Sequence, residues 1–150
     1  MELKNIILAG CICLMASCND QPTKTVSTTP VTKVGSINCY QYINKKDTVT
    51  LKTIVADELI TGSLVYNFYE KDKNSGTIRG SMKGDLLIAD YSFMSEGVNS
   101  VRQVAFKKSE GAFIEGYGEP QESNGRTTFK NIDSLNFNNS VLLSKVDCEK

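Results

Sequence analysis

From Gly35 onward, apolar residues recur at every second position, and turn formers interrupt them about every 8–12 residues. This alternation turns one side of each segment toward a core and the other toward water, as in half-buried strands. Ile37, Cys39 and Tyr40 begin a first strand, and Val49 and Leu51 alternate with Thr48, Thr50 and Lys52 in a second. Leu64, Tyr66 and Phe68 share one face of a third. Residues 71–76 read as a loop by composition. Ile78, Gly80 and Met82 then alternate with Thr77, Arg79, Ser81 and Lys83. Lys83-Gly84-Asp85 reads as a tight hairpin, because glycine accepts the positive φ such turns require. Leu87, Ala89, Tyr91 and Phe93 line one face of the next strand, Val104 and Phe106 mark another, and Phe113, Glu115 and Tyr117 share a third face. Thr127 and Phe129 start a late strand, and residues 141–146 form the last. Between them, residues 131–137 hold a short helical turn.

The pattern predicts an all-β fold: an antiparallel meander of about eight short strands, closed into a small barrel that leaves no exposed edges. A barrel of eight strands is just wide enough to be filled by side chains or to hold one small ligand. In layout, residues 35–150 resemble a lipocalin-like or avidin-like barrel. The resemblance is of architecture only; no sequence motif of either family is present, so no ligand carries over from it. Gly80, Ala89 and Gly116 mark bends or close approaches of backbone.

The inward parity of Tyr66, Tyr91, Phe93 and Tyr117 makes them the expected lining of a binding cavity. Glu115 shares parity with Phe113 and Tyr117, and Arg102 with Val104 and Phe106; an inward Glu115–Arg102 pair would anchor a ligand's polar group. The bland alternative places both charges in water. Asp90, Glu96, Glu110 and Glu119 are the other carboxylates weighed for acid–base work. Glu96 and Glu110 fall in expected turns, and Asp90 points outward if Tyr91 points inward.

Composition narrows the chemistry. The chain has no histidine, which excludes a Ser-His-Asp arrangement and removes the commonest zinc ligand. No Gly-rich phosphate loop opens a helix. From Asp72, glycine falls at the fifth position and Lys83 at the twelfth, where a calcium loop needs glycine at the sixth and glutamate at the twelfth. No metal, cofactor or enzymatic activity is expected. Lys+Arg and Asp+Glu each total 17, so nothing points to nucleic acid. Asp47-Thr48-Val49 and Asp133-Ser134-Leu135 resemble the Asp-Ser/Thr-aliphatic O-glycosylation motif of some bacterial envelope proteins, which would modify Thr48 or Ser134.

The N-terminus carries its own pattern. Lys4 opens a short basic region, residues 6–15 are an apolar run, and Ala16-Ser17 precede Cys18. These are the parts of a secretory signal, too short to span a bilayer. Leu14-Met15-Ala16-Ser17-Cys18 resembles the lipobox of bacterial lipoproteins. The resemblance implies cleavage after residue 17 and a thioether-linked diacylglycerol, with further acylation (a palmitate), on Cys18. It also implies a lipid anchor in the cell envelope, on the periplasmic or surface face of the outer membrane. Residues 18–36 are rich in Thr, Ser, Pro and Lys; they bury too little surface to offset their ordering entropy and read as a disordered tether. The barrel domain then spans residues 37–150.

Of five cysteines, Cys11 and Cys13 leave with the signal and Cys18 takes the lipid. Cys39 and Cys148 remain, an even pair in an oxidising compartment, and are expected to form a disulfide.

Two functions fit. One is a binding module holding a small apolar or amphipathic ligand. The other is an envelope interaction or inhibitor protein with a filled core. Lipoprotein-type lysozyme inhibitors share the layout of lipobox, small β-domain and terminal cysteine clasp, but their inhibitory loop motif is absent here.

Overall fold

The computed structural model describes residues 35–138 and 141–148; the signal segment, Cys18 and nearly all of the tether lie outside the described residues. Ten strands follow one another: β1 (Ser36–Asn44), β2 (Asp47–Ala56), β3 (Leu59–Asn67), β4 (Asn74–Lys83), β5 (Leu86–Ser95), β6 (Val98–Ser109), β7 (Ala112–Gly116), β8 (Pro120–Ser123), β9 (Arg126–Phe129) and β10 (Leu142–Val146). A 3-10 turn, Ile132–Ser134, precedes the last. β1 begins at Ser36, one residue before the expected domain boundary.

Strands β1 to β7 form an antiparallel meander, and β5 pairs with β6 to continue it. β10 then inserts between β7 and β1, antiparallel to both, and closes an eight-stranded barrel. The expected all-β barrel is present. The meander has one exception: the β8–β9 hairpin leaves the barrel before β10 returns to it.

The turns follow from their residues. Glu96-Gly97, Glu110-Gly111 and Asn124-Gly125 each hold both central residues at positive φ, the mirror-image turn whose twist suits a hairpin. The loop after β3 is shorter than its composition suggested. Asn74, Ser75 and Gly76 belong to β4, where they pair with Tyr66, Val65 and Leu64. The register of the neighbouring strand overrides their turn propensity.

Inward residues fill the middle of the barrel. Val49, Leu51, Leu64, Leu87, Tyr91, Phe106 and Leu143 are fully buried, with Ile60, Ile78, Val104 and Phe113 beside them. Gly80 faces Ala89 across β4 and β5; a Cβ there would lie 2.0 Å from the Ile88 carbonyl oxygen and 2.5 Å from Ala89 Cα. The two backbones therefore approach more closely than any side chain at residue 80 would permit.

Cys39 lies on the outer side of β1, with Ile37, while Tyr40 points into the core. Cys39 is disulfide-bonded to Cys148, two residues beyond β10, with Cα atoms 5.3 Å apart. The bond lies beside the β1–β10 seam, where Cys39 opposes Val146.

Two stability predictions follow from this packing. Gly80→Val should lower stability by about 1–3 kcal/mol through overpacking, whereas Gly84→Ala, at φ 61° with open space around it, should cost only about 1–2 kcal/mol of backbone strain. Removing the disulfide by Cys39→Ala/Cys148→Ala opens a loop with a sequence separation of 109. It should cost up to ~4.7 kcal/mol on the chain-entropy account. Urea unfolding measures all three variants: the glycine variants by their midpoints at unchanged m-value, and the disulfide variant by its extrapolated stability, because its freer unfolded chain raises m.

Candidate functional site

The β6 strand is twelve residues long and β7 only five. β7 covers the edge of β6 from Ala105 to Ser109 and then departs. The remaining edge is taken by β9, which makes a parallel bridge from Thr127 to Arg102. The sheet forks at this point, and a cleft opens between the end of β7 and the β8–β9 arm.

The arm is held by polar contacts. Arg126 Nη1 lies 2.6 Å from Asp90 Oδ2 on β5, and the Phe129 N–H donates to Gln103 Oε1 at 3.2 Å. Tyr117 and Asn136 exchange backbone hydrogen bonds of 3.0 and 2.8 Å, which fix the other lip. Gly116 leaves room for the Phe137 ring; a Cβ on it would meet Phe137 Cε1 at 2.5 Å.

Alternation on β6 and β7 sends Arg102 and Glu115 into the fork. Glu115 is 4% exposed. The Tyr66 hydroxyl donates to its Oε1 at 2.5 Å, and the Tyr117 hydroxyl donates to its Oε2 at 2.9 Å. Burial pushes the Glu115 carboxyl above the ordinary carboxylate range, while the two hydroxyls and the Arg102 guanidinium oppose that shift. Burial and the neighbouring carboxylate raise the Tyr66 and Tyr117 hydroxyls well above their usual value.

The Arg102 guanidinium stands over three aromatic rings, 5.0 Å from the Tyr66 centroid, 5.5 Å from Tyr91 and 5.6 Å from Phe93. Tyr91 and Phe93 stack with centroids 4.7 Å apart. The ring faces hold the cation by their quadrupoles and leave its N–H groups for other partners. Arg102 Nε and the Tyr91 hydroxyl are buried without a hydrogen-bond partner among the described residues. Groups of this kind are rare in folded proteins and call for a specific explanation.

The cleft has a volume of about 170 Å³. Arg102, Glu115 and Tyr117 form its polar side, and Val104, Pro120 and Phe129 its apolar side. A cationic donor and a carboxylate acceptor thus face a wall that mixes apolar residues with Gln103, Thr127 and Thr128.

The six residues read as a ligand site from the sequence divide in two. Arg102, Glu115 and Tyr117 line the cleft, whereas Tyr66 and Tyr91 are packed in the core behind it and Phe93 is half-buried against them. Sequence reasoning missed Pro120, Thr127, Thr128 and Phe129, the wall contributed by the arm. Thr127 and Phe129 were legible as strand residues, but nothing local says which edge β9 joins.

The other carboxylates have plain roles. Asp90 faces outward to Arg126, Glu119 lies 3.0 Å from Lys130 Nζ, and Glu96 and Glu110 occupy turns. Thr48 is half-buried on β2, and the Ser134 hydroxyl donates to the Asn131 carbonyl at 3.1 Å in the exposed 3-10 turn. Among the described residues, no group of three or more side chains of metal-ligand type comes together.

Comparison with protein-family models, curated proteins and solved structures gives no match for this chain.

Burial of Glu115 makes a pH prediction. Its folded pKa lies above the ordinary 4.5, so the folded state holds this proton more tightly than the unfolded state. The associated stability is present below pH 4.5 and is lost as pH rises through the folded value. Urea midpoints of the wild type should therefore fall across that window relative to Glu115→Gln, whose curve lacks this component. Parallel curves would mean that Glu115 titrates normally.

Proposed function

We propose that this chain is a lipid-anchored, non-enzymatic binding module of the cell envelope, placed at the outer membrane, which takes a small amphipathic ligand into the cleft at the fork of the sheet. The observation that carries the reading is the buried Glu115 with its two tyrosine hydroxyls, beside the half-buried Arg102 guanidinium, presented to an open recess. A buried charge costs several kcal/mol unless partnered, and a barrel needing only a core would fill these positions with apolar side chains.

The dimensions constrain the ligand. At about 170 Å³ the cleft is smaller than the roughly 300–1,000 Å³ of sites that engulf a drug-sized molecule. It suits a small molecule or the head of a longer one, with acceptor atoms toward Arg102 and an apolar part against Val104 and Phe129. The absence of histidine from the sequence supports binding over catalysis. The envelope address rests on the lipobox-like residues ending at Cys18.

The second reading is an interaction or inhibitor protein that works through its outer surface. It is favoured by the solid middle of the barrel, where Leu51, Leu64, Tyr91 and Phe106 leave no exposed side-chain surface.

Two experiments test these readings. Labelled palmitate should enter the wild-type chain and be absent from Cys18→Ala; equal labelling of both would remove the anchor. Ligand-observed NMR with small aliphatic and aromatic acids should yield binders that perturb Val104, Tyr117 and Phe129. Arg102→Met should weaken them about tenfold, the loss of one charged hydrogen bond. A screen without any binder at these residues would leave the filled-core reading standing.

A further inference from the structure

The opposite end of the barrel carries a second recess, formed by the start of β1, the end of β2, the start of β3, the end of β4, the β6–β7 turn and β10. Its volume is about 380 Å³. Tyr40, Ile60 and Phe113, all buried, form its floor, with Val55 and Met82 half-buried on the walls. Tyr40 and Phe113 pack edge to face with centroids 4.8 Å apart, so the floor is a fixed aromatic surface.

The rim differs from the floor. On β6, Lys108 continues the inward parity of Val104 and Phe106; on β10, Lys145 continues that of Leu143 and opposes Tyr40. Both lysines line the recess. Neither has an ion-pair partner among the described residues, although Lys107 next door lies 3.8 Å from Asp85. Two ammonium groups thus stand at the mouth of a recess whose floor is apolar.

We infer that this recess binds a free single-chain amphiphile with an anionic head, a fatty carboxylate, tail against Tyr40, Ile60 and Phe113 and head between Lys108 and Lys145. Burial of a tail contributes roughly 0.8 kcal/mol per methylene, and the lysines decide which head is accepted. Charge on a rim of this kind selects between ligands with the same apolar body. The inference is independent of the cleft at the fork, which lies at the other end and shares none of its residues.

The test is calorimetric titration of sodium dodecanoate, below its micellar concentration, into the full chain carrying Cys18→Ser. Dodecyltrimethylammonium, with the same tail and the opposite charge, is the comparison. Dodecanoate should bind saturably at one per chain and more tightly than the cation. The Lys108→Gln/Lys145→Gln variant should weaken it about tenfold or more, as expected for losing charged hydrogen bonds. Both lysines are exposed, so the variant keeps the fold, and its melting curve verifies this. Arg102→Met should leave dodecanoate binding unchanged. Absence of saturable binding, equal binding of both tails, or an unchanged affinity in the double lysine variant would each overturn the inference.

Discussion

Closure of the sheet is the constraint on which the rest depends. An open sheet of eight strands leaves two edges of unpaired backbone groups, which recruit other chains. Here both edges are satisfied by one short strand. β10 offers one side to β7 through Leu142 and Leu143 and the other to β1 through Ser144, Lys145 and Val146. Five residues therefore convert a meander into a barrel, and the Cys39–Cys148 bond secures the β1 side of the closing strand, which rests on three residue pairs. Leu143, fully buried, ties the closing strand to the core made by the other seven.

The cleft at the fork is a by-product of unequal strand lengths. Closure uses only the part of β6 that β7 reaches, and the rest of that edge must pair with something else. β9 supplies a single parallel bridge and stands off from β7, so the two inward charges at that level meet neither a filled core nor bulk water. Glu115 is held there by hydroxyls from β3 and from the residue after β7, and Arg102 by ring faces from β3 and β5. The polar cluster thus draws on several strands around the barrel and exists only once closure is complete.

Much of this was legible in the sequence because period-two alternation reports directly on which side of a strand a residue takes. Leu64 and Tyr66, Leu87 and Tyr91, Val104 and Phe106 all point where their parity placed them. Parity also brought Arg102 and Glu115 inward, although neither residue type favours burial. The β8 strand was not legible: after Pro120, Gln121-Glu122-Ser123 is polar throughout and no alternation marks a face, and its pairing rests on backbone bonds with β9. Nor does alternation say whether an inward tyrosine lines open space or is packed. Tyr66 and Tyr117 share a parity-based expectation, yet one is in the core and the other half in solvent, because the arm covers one level of the barrel and leaves the next open.

The clasp also has a mechanical consequence. Any pull transmitted through Gly35 enters β1 at its first residue and meets the disulfide at Cys39 after three further residues. From there the load divides between β1 and the C-terminal segment, and both strands are drawn along their own axes. The long β1–β2 ladder and the short β10–β7 pairing are then loaded in shear rather than unzipped one bond at a time. A domain pulled by its N-terminus is thereby gripped at its own closing seam, where the covalent bond shares the load between two strands.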